Sequence, residues 1–170
     1  QMVAVATDAG VRVFEDSRVT MLDAHTMGEV VAKTQSGRVE ASVVVVATNA
    51  RAGELLPWMS DKVDPVRGQM LATAPDKPLF NCPIYANHGY DYWRQTEEGR
   101  IVLGGWRNLD PENEVGHDEL VSDDIQSRMV EFLKSVGVTA PVTHRWAGIM
   151  GFSRDGLPLV GPVPGTPGAV

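Results

Sequence analysis

Five consecutive apolar residues, Val43 to Ala47, constrain the fold of this chain more than any other feature. A strand-length run that is apolar on both faces leaves no face for water, so it reads as a strand buried between two layers, as in the parallel sheets of α/β proteins. Small residues follow at once in Ala47-Thr48-Asn49-Ala50. They let backbone approach a ligand at the carboxyl end of the strand, where open α/β sheets bind nucleotides. By itself the segment is equally an ordinary core strand ending in a turn.

The surrounding pattern fills in a mixed architecture. Met2 to Ala6 ahead of Asp8-Ala9-Gly10 reads as the last turns of a helix closed by glycine. Val11 to Glu15 alternates as a strand would, and the stretches near 19–23, 29–34 and 38–41 read as a small meander with its turn at Gln35 to Arg38. Pro57 to Pro65 marks a boundary. Beyond it Val66–Thr73, His88–Thr96 and Arg100–Gly105 are expected strands, the last two joined by a hairpin turn at Glu97-Glu98-Gly99. Val121, Ile125, Met129, Phe132, Leu133 and Val136 repeat at helical spacing, acidic residues crowd the first turn, and Gly137 ends the helix. Val142 to Phe152 is strand-like again. The expected fold class is α/β (α+β): part of a doubly wound domain carrying a β-meander, then a mixed or antiparallel sheet with helical cover.

Composition removes several functions. The chain has 170 residues and a net charge of −7, and no basic cluster stands out, which argues against nucleic acid as a partner. No stretch approaches the roughly 18–20 apolar residues of a membrane helix. The single Cys82 allows no internal disulfide and fits a reducing compartment, so a cytoplasmic location is expected. His25, His88, His117 and His144 lack ligand spacing, and no metal site is expected.

Three segments in order carry a resemblance. The first is Val43 to Ala50. The second is Pro65-Val66-Arg67-Gly68-Gln69-Met70. The third runs from His144-Arg145-Trp146-Ala147-Gly148-Ile149-Met150-Gly151-Phe152 through Asp155-Gly156-Leu157-Pro158 to Gly161. Together they resemble the FAD-dependent oxidoreductases of the D-amino-acid oxidase / glycine oxidase type. The hairpin Gly89-Tyr90-Asp91-Tyr92-Trp93-Arg94-Gln95-Thr96 with Gly99 to Trp106 looks like that family's substrate-domain hairpin, and Val13 to Val19 is similar to a stretch that lies against the adenine.

The resemblance implies non-covalent FAD, an amine or amino acid as the small-molecule substrate, and oxygen or another electron acceptor. It implies cofactor contacts at Val19, Ala47, Thr48, Asn49, Gly148 and Ile149, with Gly148 leaving room for a flat ring. Strand alternation places Tyr90, Tyr92 and Arg94 on one face, against Asp91, Trp93 and Gln95 on the other. Tyr92, Arg94, Met150 and Arg67 are the expected pocket residues; no catalytic residue is assigned.

Two departures qualify this reading. A G-x-G-x-x-G fingerprint opening a helix is absent, and both ends read as cuts, so the chain is expected to be the carboxy-terminal part of such an enzyme. In that division residues 1–60 are a remnant of the FAD-binding domain, 61–145 the substrate domain and 146–170 the return segment. The chain alone is expected to hold FAD weakly and to be inactive. The family's amino-acid oxidases place an arginine after the Gly-hydrophobic pair, whereas Met150 follows Gly148-Ile149 here, and a thioether cannot pair with a carboxylate. An amine, or a substrate held by Arg94 or Arg67, fits better. The alternatives are a non-catalytic binding module with the substrate-domain fold, a flavin dehydrogenase of a hydroxy acid, and a plain β-rich domain.

Overall fold

The computed structural model describes residues 1–24 and 29–170, so what was expected of His25 lies outside the described residues. These divide into two compact units. One comprises Gln1–Ala47, Glu54–Trp58 and Pro158–Val170, the other Thr48–Gly53 and Met59–Leu157.

The first unit opens with helix α1 (Met2–Asp8), closed at Gly10 with φ +91. Its three antiparallel strands, β1 (Val19–Ala24), β2 (Val30–Thr34) and β3 (Arg38–Ala41), form the expected meander. The β2–β3 turn is tight because the N–H groups of Ser36 and Gly37 both donate to Thr34 Oγ1, at 3.2 and 3.0 Å. Val30 and Val31 are buried, and Gly168 lies so close to Val30 that a Cβ there would meet its Cγ2 at 2.5 Å.

Two expectations fail in this unit. Val11 to Glu15 forms no strand: the residues are exposed and no ladder partner takes their backbone. Val43 to Ala47 is not buried either. It pairs in parallel, through Val44 N–H to Gly168 O (2.9 Å), Val170 N–H to Val44 O (2.9 Å) and Val46 N–H to Val170 O (2.7 Å). With that single short partner, Val43 and Val45 remain 58% and 72% exposed. A strand apolar on both faces needs cover on both.

The second unit begins around the short helix α2 (Ala52–Leu55), which spans the division. Its sheet contains β4 (Val63–Pro75), β5 (Ile84–Ala86), β6 (Asp91–Gln95), β7 (Arg100–Gly105) and β8 (Val142–Ser153) in the order β5-β6-β7-β4-β8. All pairings are antiparallel. Residue 146, where the return segment was expected, falls inside β8, which stays registered with β4 from Thr73↔Val142 to Val63↔Ser153. The chain rejoins the first unit at Pro158.

Helix α3 (Asp123–Ser135) covers one face of this sheet. Ser122 caps it, accepting from Ile125 N–H, and Asp123 and Asp124 complement the dipole in the first turn. Val121 precedes the cap and is exposed rather than part of the apolar stripe. Ile125, Met129 and Leu133, one turn apart, pack on Leu71, Ile101 and Leu103 to make the core. Phe132 meets Trp93 edge-on at 4.9 Å and Trp106 at 5.2 Å.

The chain after α3 is tied to the end of β4. Asp76 accepts from the N–H groups of Thr139 (2.7 Å) and Ala140 (2.8 Å), which hold its carboxyl below the ordinary value of 3.8. A depressed carboxyl pKa contributes stability above the unfolded value and loses it as pH falls through the folded one. Asp76→Asn is therefore expected to flatten the fall in thermal stability below pH 3.8, read by melting curves across that range. An unchanged acid slope would assign the loss to other carboxylates.

Candidate active site

Antiparallel register sorts the second unit's residues by face. On β4, Arg67, Gln69, Leu71 and Thr73 point toward the face covered by α3, and Val66, Gly68, Met70 and Ala72 toward the other. Residues directly opposite share a face, which puts Met150, Gly148 and Trp146 of β8 beside Val66, Gly68 and Met70. Across β7, Gly104 and Val102 carry the same face to Tyr92 and Arg94 of β6, and then to Tyr85 of β5.

This second face bears an open cavity of about 720 Å³, whose lining includes Met70, Tyr85, Tyr92, Arg94, Arg107 and Met150. Glycines let its side chains converge. A Cβ at Gly104 would meet Met70 Sδ at 2.1 Å and the Tyr92 ring at 2.5 Å, and one at Gly68 would meet Met150 Cε at 2.9 Å. The Tyr92 hydroxyl donates to Met70 Sδ at 3.4 Å, and its ring stacks with Tyr85 at 6.2 Å. Burial pushes the Tyr92 phenol up, while the charge of Arg107 opposes the shift.

Backbone strain gathers at the rim. Of the described non-glycine residues with positive φ, Asn87 (+48) and His88 (+53) precede Gly89, and Trp106 (+60) precedes Arg107. Such conformations cost of order 1–3 kcal/mol each and concentrate at binding and catalytic sites.

Tyr92, Arg94 and Met150 are thus brought to one cavity. Arg67 is not. It lies on the opposite face with 8% of its side chain exposed, its Nε donating to Asp118 O (2.7 Å), its Nη1 to Asn113 O (3.0 Å) and its charge facing Glu114. It is a buried clasp and cannot hold a ligand in this cavity. Of the residues implied as cofactor contacts, Val19 and Ala47 lie in the first unit, and Thr48, Asn49, Gly148 and Ile149 in the second. Asn49 accepts from Gly151 N–H at 2.7 Å, tying the segment before α2 to β8. Ile149 pairs with Arg67 and faces away from the cavity, so only its backbone borders the open face. Apart from Gly148 itself and its chain neighbours, no atom lies within 4 Å of where a Gly148 Cβ would sit. The strip beside it is therefore free to receive a flat ring, and its open backbone fits a flavin.

Arg107, Tyr85 and Phe152 were missed in the sequence. The signal for Arg107 is Gly104-Gly105 at the end of β7, since paired glycines there mark a turn that re-aims the next side chains. Tyr85 sits in a strand too short to show alternation.

The family model described as FAD dependent oxidoreductase matches residues 1–170, and the chain belongs to that family. Among characterised relatives, the glycine oxidase of Pseudomonas aeruginosa is 29% identical over 137 residues, 79% of this chain and 36% of its own length. The gamma-glutamylputrescine oxidoreductase of Escherichia coli is 34% identical over 105 residues, 56% of this chain and 24% of its own. The crystal structure of glycine oxidase from Geobacillus kaustophilus superposes with a TM-score of 0.77 at 24% identity, covering 96% of this chain and 44% of that one. The chain thus spans less than half the length of these relatives. Among the described residues no helix is long and apolar enough to cross a membrane.

Proposed function

We propose that this chain is the pocket-bearing part of a longer flavoenzyme that oxidises a C–N bond of an amine or amino acid to an imine, with oxygen or another molecule as final acceptor. The cavity around Tyr92, Met70 and Met150, beside the bare strip at Gly148, is the observation that carries the reading. The exposed Val43 and Val45 and the share of each relative covered support its being part of a larger protein. In this reading the first compact unit belongs to the FAD-binding part and the second, with β8, to the substrate part.

Gly148 and the backbone of Ile149 would border the flavin, and Val19, Ala47, Thr48 and Asn49 are its other expected contacts. Bound FAD would supply the acceptor for a hydride from the carbon bearing the nitrogen. The chain's own residues do the rest. The aromatic and thioether walls exclude water and favour the neutral amine, whose nitrogen lone pair can then form the imine as the hydride leaves. Tyr92, whose phenol burial pushes up, supplies a hydroxyl to orient the substrate.

The test is anaerobic mixing of the FAD-loaded full-length protein with primary and secondary amines, amino acids and matched hydroxy acids. Loss of the oxidised flavin's visible absorbance with amines or amino acids is the expected result. Reduction by hydroxy acids alone would make it a hydroxy-acid dehydrogenase. Bound FAD that no compound reduces would make it a binding module.

A further inference from the structure

A phenol has one proton to give, and in the cavity on the open face of the sheet that proton is already used. The Tyr92 hydroxyl donates it to Met70 Sδ at 3.4 Å, and among the described residues no group donates to the phenol oxygen in return. A hydroxyl whose proton is committed still has lone pairs that accept. What Tyr92 offers the cavity is therefore an acceptor.

Glycines hold the pair in place. Met70 Sδ and the Tyr92 ring together fill the space that a side chain at Gly104 would take, at 2.1 and 2.5 Å from its Cβ. On the other side, a Cβ at Gly68 would lie 3.6 Å from the Tyr92 oxygen and 2.9 Å from Met150 Cε. Gly68 is the register partner of Gly148. The hydroxyl thus ends beside the bare strip, and neither residue of that pair has a side chain to screen it.

The other polar groups leave this count unchanged. Arg107 is turned to two rings, its guanidinium carbon 4.5 Å from the centroid of Tyr90 and 4.8 Å from that of Phe152. No carboxylate lines the cavity, so a donor entering it meets no ionised acceptor. A ligand that brings an N–H leaves the bond to Met70 intact and adds one to the phenol oxygen. A ligand that brings only an acceptor must first displace the proton from Met70. The difference is about one hydrogen bond, or about tenfold in affinity.

We infer that Met70 sets what this site selects: by holding the Tyr92 proton it makes the hydroxyl an acceptor, which takes the substrate nitrogen by an N–H. The inference rests on the oxidase reading above and names how its substrate is recognised. Met70 acts through Tyr92 and is a positioning residue; without it the hydroxyl is free to donate.

The test uses the full-length FAD-loaded protein and three compounds of similar shape, none able to yield an imine. tert-Butylamine, at a pH where it is protonated, is a cation with N–H groups. Tetramethylammonium is a cation without one, and trimethylamine N-oxide is a neutral acceptor. Affinities are read from the visible spectrum of the flavin and from the melting temperature. The parent is expected to bind tert-butylamine about tenfold tighter than tetramethylammonium, and Tyr92→Phe to show no preference. Met70→Leu, a swap that conserves volume, is expected to bind the N-oxide about tenfold tighter than the parent does. Met70→Leu/Tyr92→Phe should lose that gain, whereas a purely structural role for the thioether would weaken all three compounds alike. The inference is overturned if the parent takes both cations equally or if Tyr92→Phe keeps the preference. It is equally overturned if Met70→Leu gains nothing for the N-oxide, or keeps the gain without the hydroxyl. The comparison of cations in the parent needs no substitution, so it decides even where Met70→Leu fails to fold. Should no amine reduce the flavin, the oxidase reading fails, and the affinities still decide the direction of the hydrogen bond.

Discussion

Glu114→Ala is expected to lower the unfolding free energy by about 3–5 kcal/mol, the range for removing one partner of a buried ion pair. Glu114 and Arg67 are both nearly inaccessible, with 3% and 8% of their side chains exposed. One carboxylate oxygen faces the guanidinium at 3.4 Å and the other accepts from Gln69 Nε2 at 3.0 Å. Truncation leaves a buried cation short of its counter-charge and an amide N–H short of an acceptor.

The damage would spread along the loop. Arg67 and Gln69 also hold the carbonyls of Asn113, Asp118 and Leu120, and Gln69 Oε1 accepts from Ser122 N–H just ahead of α3. Chemical denaturation of the parent, Glu114→Ala and Glu114→Gln gives the measurement. The glutamine, which keeps an acceptor, should lose less than the alanine. A Glu114→Leu/Arg67→Met double variant should recover much of the loss, because paired apolar groups leave no orphaned charge. A loss under about 1 kcal/mol in Glu114→Ala would show that the loop is held by backbone contacts alone, such as Arg67 N–H to Glu114 O at 2.8 Å.

Gly105→Ala is expected to cost about 3 kcal/mol or more, and to act on the cavity as well. A methyl there would sit 1.7 Å from Tyr90 O and 2.7 Å from its carbonyl carbon, and φ is +116. No rotamer relieves a clash between Cβ and backbone, so the end of the β6–β7 hairpin must open. Opening it breaks the Trp106 N–H to Tyr90 O bond and carries Arg107 away from its Tyr90 clamp. Melting temperature reports the first effect, and loss of amine-dependent flavin reduction by full-length protein that is still folded reports the second. A folded Gly105→Ala protein with undiminished flavin reduction would show that the turn does not shape the cavity.

Much of the fold was legible because its signals are local. The apolar stripe of α3, its acidic first turn and closing Gly137, the Glu97-Glu98-Gly99 hairpin and the three-stranded meander each depend on residues within one or two turns of chain. The face assignment of Tyr92 and Arg94 followed from strand alternation alone and agrees with the register. Val11 to Glu15 misled because alternation needs a partner strand to become structure, and that partner is a non-local matter. Val43 to Ala47 misled in the same way: its apolar run was legible, but the cover that burial needs is a non-local matter.

For the site, sequence alone determined the family, the order of its segments and the absence of an arginine at Met150. Those are properties of residues in a row. Tertiary structure decided which cations share a cavity. Arg67 stood beside Met70 and was expected to wall the pocket, but the two-residue period of β4 sends it through the sheet to Glu114. Arg107, which no motif singled out, is brought back over Tyr90 and Phe152 by a turn of positive φ and by a strand, β8, that enters the sheet more than thirty residues later. Alternation says which residues share a face, but only the pairing of strands distant in sequence says what that face meets.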